Sequence, residues 1–194
     1  MKIYDTDFNW SGNLLTRPLT RKIIIHHRAG AGDVLSLHNT HLKNGWSGIG
    51  YHFYIRKDGS IYRGRPIEKM GAHAEGNNMD SVGVCFEGNF EKDIMEKAQI
   101  ESGKLLIGHI QECYGRKLEI AKHSDYGTTL CPGKNFPFNE IKKVSCDNVV
   151  TKMFDDGVIT LSNINNWELF LSGKARPKAE YIKTVIKRYQ SKIV

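Results

Sequence analysis

The chain has 194 residues, 40% hydrophobic and 25% charged, with 28 Lys and Arg against 21 Asp and Glu for a net charge of +7. That length holds one ordinary domain, with or without a small appendage, and the composition excludes a disordered chain. The longest purely aliphatic run, Ile23-Ile24-Ile25, is far short of a membrane span, and the opening MKIYDTDFNW lacks an apolar signal-peptide core, so synthesis in the cytoplasm without an export signal is expected.

Lys22–His27 (KIIIHH), β-branched and bounded by polar residues, predicts a short buried strand. Asp33 is placed to cap a helix with Val34, Leu37, His38, His41 and Leu42 on one face and Gly45 as its stop. Residues 51–56 and 60–63 flank Lys57-Asp58-Gly59, a strong hairpin signal. Ser81–Phe86 (SVGVCF) predicts another buried strand. Residues 94–114 set Ala98, Leu105, Leu106, Ile110, Cys113 and Tyr114 at helical spacing, with Gly115 ending the run. Residues 118–123 read as extended, a loop follows to Cys131-Pro132-Gly133, and Pro137 opens a short helix.

Strands alternating with helices predict an α/β fold, a central mixed β-sheet flanked by helices, with a small C-terminal helical appendage. The expected division is residues 1–145 and residues 146–194. The second part is a linker plus a basic helical region, with Trp167, Phe170 and Leu171 on one short helix. On a second helix, starting at Pro177, Tyr181, Ile182, Val185, Ile186 and Tyr189 form one stripe. Residues 173–194 hold seven basic side chains and one acid, a charge of +6, which leaves about +1 for residues 1–172. Such a tail suits a polyanion, and a solvated helix face would look the same. The near-neutral body carries no basic stripe interleaved with aromatics, so no specific nucleic-acid partner is expected.

Eight histidines and four dispersed cysteines invite a search for metal ligands. Cys85, Cys113, Cys131 and Cys146 form no C-x-x-C pair and are expected as reduced thiols, buried or metal-bound. His26 and His123 each end a predicted strand, and Cys131 follows His123 by eight positions. Two imidazoles and a thiolate suit zinc and leave a fourth tetrahedral position for water, as in catalytic sites. Spacing alone does not single them out. His109 with Cys113 and His38 with His41 are rival pairs, whose simpler reading is as satisfied core residues. His27 points away from His26 across the strand.

Four blocks in order are similar to the zinc-dependent N-acetylmuramoyl-L-alanine amidases, a family that includes phage amidases and animal peptidoglycan recognition proteins. They are IIIHHRAG (23–30), GWSGIGYHFYIRKDGSIYRGRP (45–66), GAHAEGNNMDSVGV (71–84) and HSDYGTTLCPG (123–133). The resemblance covers roughly residues 20–140 and makes residues 1–145 the catalytic domain. It implies His26, His123 and Cys131 as zinc ligands, and Tyr51 beside the metal with its hydroxyl toward the reacting carbonyl. His73 is implied as a substrate-binding residue of the same cleft. The implied substrate is bacterial peptidoglycan, cut between N-acetylmuramic acid and L-alanine.

Two departures stand out. Related phage amidases carry lysine where this chain has Thr129, whose hydroxyl can donate to an oxyanion without lysine's charge. Cys85 fills a position where a distant bacterial branch carries a glutamate base. Glu87, two residues on, is read as a rim residue pairing with a base or as a proton acceptor, so the general base stays open. For the tail, binding of an anionic wall polymer and packing on the body or a dimer contact stand as equal expectations. The missing export signal fits an endolysin that reaches the wall once the membrane is breached. A non-catalytic peptidoglycan-binding module is the competing reading.

Overall fold

The computed structural model describes residues 1–114 and 116–143. Residues 1–107 and 118–143 form one compact unit. The helices and cationic stretch expected over residues 146–194 lie outside the described residues.

The elements are β1 (Ile3–Tyr4), β2 (Lys22–His27), α1 (Val34–Lys43), β3 (Phe53–Ile55), β4 (Ile61–Arg63), β5 (Ser81–Phe86), α2 (Lys97–Cys113), β6 (Glu119–Lys122), a 3-10 turn (His123–Asp125) and α3 (Phe138–Lys142). One six-stranded sheet runs β1-β4-β3-β5-β2-β6. The β3–β4 pair is antiparallel and every other neighbour is parallel, so the sheet is mixed. β2 lies between β5 and β6, and Ile23, Ile24 and Ile25 are fully buried. Its uninterrupted apolar run reflects cover on both faces, the usual condition of a parallel strand.

The Asp58-Gly59 turn joins β3 to β4 as expected, with Gly59 at φ +84° and the Asp58 carboxylate accepting from the Ser60 N–H at 2.9 Å. α1 starts where Asp33 predicts it, the Asp33 carboxylate accepting from the Ser36 N–H at 2.7 Å. Val34, Leu37, His38 and His41 are its buried residues, and Gly45 follows at φ +81°. α3 begins directly after Pro137 and buries Ile141.

Two expectations need correcting. β1 was not anticipated: two residues are too few to show a period, and Tyr4 is held by pairing to β4 and by stacking on Tyr62 at 5.2 Å. The inner face of α2 is also rotated from the predicted stripe. Gln99, Gly103, Leu106, Ile107 and Ile110 are buried, while Ala98, Leu105 and Cys113 are exposed. The cause is Gln99, whose amide donates to the carbonyls of Ile55 (3.1 Å) and Glu87 (2.9 Å). A polar residue takes the inward position because it closes backbone acceptors at the sheet's end.

Candidate metal centre

The register of β2 against β6 brings the first two site residues together. Ile25 pairs with Lys122, so His26 and His123, the next residues along, emerge side by side from the carboxyl ends of parallel strands. Their rings lie 4.5 Å apart, centroid to centroid. The loop after β6 then turns back, held by the Ser124 N–H donating to the Cys131 carbonyl at 2.9 Å. Cys131 Sγ stands 3.8 Å from His26 Nδ1 and accepts from the His27 backbone N–H at 3.4 Å. One donor atom from each of His26, His123 and Cys131 lies within 4.8 Å of the other two.

Burial sets the protonation of this group. His26 is fully enclosed, and desolvation first, then the neighbouring His123, His27 and His52, hold its pKa well below the usual imidazole value. Burial also lowers that of His123. The Cys131 thiol is pushed up to about 11 by burial, opposed by the His27 N–H. The centre therefore offers two neutral imidazoles and a thiol that a divalent cation would deprotonate on binding. The donor set fits zinc: tetrahedral ligands at ordinary Zn–N and Zn–S lengths stand about 3.6 Å apart, against the 3.8 Å between Cys131 and His26. The described residues bring three protein donors together, the number that leaves a corner open.

Tyr51 is half-buried, its ring 5.0 Å from that of His26 and 5.6 Å from that of His41. Burial, reinforced by Cys85 and Cys131, raises its pKa well above the ordinary phenol value. Thr129 Oγ1 accepts from the Cys131 N–H at 3.2 Å, which leaves the hydroxyl proton free to donate. His73 is buried, with Nδ1 3.0 Å from His26 Nε2. That pairing is invisible in sequence, since 47 residues separate the two.

The rival histidine pairs resolve differently. His38 Nδ1 accepts from the Ile49 N–H at 3.2 Å and His41 Nδ1 from the Gly50 N–H at 3.1 Å, so both are satisfied core residues. Exposed Cys113 lies 3.6 Å from His109, so it is not the core residue expected. His27 faces away from the centre, Nδ1 accepting from the Phe90 N–H at 3.2 Å. Glu87 pairs with Arg56 at 3.2 Å and accepts from the N–H groups of Gly32 and Lys57. Burial would raise its pKa, but these three donors together hold it below the ordinary carboxylate value. With both oxygens engaged it is a clamp between loops.

Residues 16–134 match the Amidase_2 family, N-acetylmuramoyl-L-alanine amidase. Over 135 residues the chain is 37% identical to peptidoglycan-recognition protein SC2 of Drosophila melanogaster, spanning 61% of this chain and 71% of that protein. It is 34% identical over 124 residues to the endolysin of Enterobacteria phage K11, spanning 60% of this chain and 82% of the endolysin. The solved structure of N-acetylmuramoyl-L-alanine amidase LysC from Clostridium intestinale URNW aligns with a TM-score of 0.70 at 39% identity, covering 73% of this chain and 95% of that one. With its α/β fold and more than half its length matched, the chain belongs to the N-acetylmuramoyl-L-alanine amidase family Amidase_2.

Proposed function

We propose that this chain is a zinc-dependent peptidoglycan hydrolase that cleaves the amide between the lactyl group of N-acetylmuramic acid and the L-alanine of the stem peptide. The observation that carries this reading is the convergence of His26, His123 and Cys131 within 4.8 Å, in a family that bears the amidase name. Zinc held by these three residues would supply Lewis acidity toward the scissile carbonyl and lower the pKa of a coordinated water toward ~7.

The chain's own residues do the rest. Tyr51, kept protonated by burial, donates to the oxygen on which negative charge develops. Thr129, anchored on the Cys131 N–H, presents its hydroxyl proton to the same oxygen without lysine's charge. His26 itself is fully enclosed, so the electrostatic influence of its neighbours is less screened than at the surface.

A recognition module without catalysis is the second reading, favoured by the likeness to a peptidoglycan-recognition protein. The presence of Cys131 beside both histidines favours cleavage. The likeness to a phage endolysin supports a role in bacterial lysis, with action at the wall.

Mass spectrometry of peptidoglycan digested by the full chain with zinc tests the reading. New L-alanine amino termini are expected, and their loss in Cys131→Ser. New reducing sugar ends would instead mark a glycosidase, and an undigested wall would favour recognition.

A further inference from the structure

The His26–His73 contact is one step of a longer hydrogen-bonded chain whose proton order is fixed from its far end. The Ser81 hydroxyl donates to the Asn77 carbonyl at 2.5 Å, and a carbonyl can only accept. The lone pairs of the Ser81 oxygen are therefore left for His73 Nε2, 3.5 Å away. An oxygen whose own proton is committed to Asn77 can only accept, so this contact requires a proton on Nε2. A neutral imidazole protonated there has a bare Nδ1, which lies 3.0 Å from His26 Nε2 and must accept from it. His26 is thereby left with a bare Nδ1, the nitrogen that stands 3.8 Å from Cys131 Sγ.

The fold holds the His73 ring in this position by two independent means. Its backbone N–H and that of Ala74 both donate to Asn78 Oδ1, at 2.8 and 3.0 Å. The ring itself occupies a slot between Gly71 and Gly83, where a Cβ added at either position would overlap it. Gly83 sits mid-strand in β5, where glycine weakens a strand, and the space it leaves is filled by this imidazole.

We propose that His73 is a positioning residue of the metal centre, setting the tautomer and orientation of His26 so that Nδ1 is presented to the cation. The proposal rests on the reading of His26, His123 and Cys131 as ligands. It gives His73 a place behind the ligand rather than against substrate. Such outer partners typically contribute about 10–100-fold in metal affinity.

Long-range 1H–15N correlation spectra of the full wild-type chain read the tautomers directly. A proton on Nε2 of both His26 and His73 is expected, and a proton on Nδ1 of His73 overturns the proposal. Cobalt(II) titration and competition with Zn2+ then compare wild type, His73→Ala and His73→Asn, each checked for cooperative unfolding. His73→Ala is expected to bind about 10–100-fold more weakly with an altered visible spectrum, and His73→Asn, whose side-chain oxygen can stand in for Nδ1, to recover most of the loss. Should His73→Ala fail to fold, the tautomer measurement decides alone. Cobalt bound equally well by wild type and His73→Ala overturns the proposal while the ligand reading survives. A wild type that takes up no metal overturns both.

Discussion

The buried Cys131 thiol, with its pKa near 11, is a poor ligand at neutral pH until a cation displaces its proton. The Tyr51 phenol is the opposite case, useful because burial keeps its proton in place. Tyr51→Phe is expected to retain stoichiometric zinc while turnover falls about 100–1,000-fold, measured as kcat on soluble muropeptides. An unchanged kcat removes the hydroxyl from the reaction. His26, His123 and Cys131 were one combination among several on spacing and zinc chemistry alone, and the resemblance of four sequence blocks to the amidase family is what singled them out. The contact between His73 and His26 was not, because it depends on how residues 71–80 fold back, which no local pattern encodes.

At the scale of elements, β2 and β5 were read from short apolar runs rich in Ile and Val and the hairpin from one dipeptide, since both signals are local. The orientation of α2 was misread because hydrophobic periodicity assigns polar side chains to solvent, whereas Gln99 is drawn inward by two carbonyls. Gln99→Ala leaves the Glu87 carbonyl without its amide donor and is expected to cost about 1–3 kcal/mol, read from the denaturant midpoint at constant slope. A loss within experimental error would mean that the inward glutamine is only filling space.

Across the whole molecule, neutral histidines make acid the vulnerable side. His52, fully enclosed, is held at about 3 by burial first and Arg17 second, and His41 at about 4 by burial first and Arg65 second. Between those values and the ordinary ~6.5 the unfolded chain binds more protons than the folded one, so their contribution is complete above ~6.5 and declines as pH falls. At pH 5 His52 alone is expected to lower stability by about 2 kcal/mol relative to pH 7.5, checked by chemical denaturation at both values. A flat profile contradicts it. The charge of +6 over residues 173–194 leads to a separate expectation, that retention of the full chain on isolated cell walls weakens as salt rises. Retention indifferent to salt removes an electrostatic role for that stretch. No described helix is long and apolar enough to cross a membrane.

The placement of β2 between β5 and β6 has a temporal consequence. Its partners arrive long after it during synthesis, and Cys131 follows His26 by 105 residues. A nascent chain that has emerged only as far as β5 has a partial sheet and one of the three donors. On the proposed metal reading, ion capture would therefore wait until β6 has docked and the following loop has cleared the ribosome, so uptake would report a completed sheet.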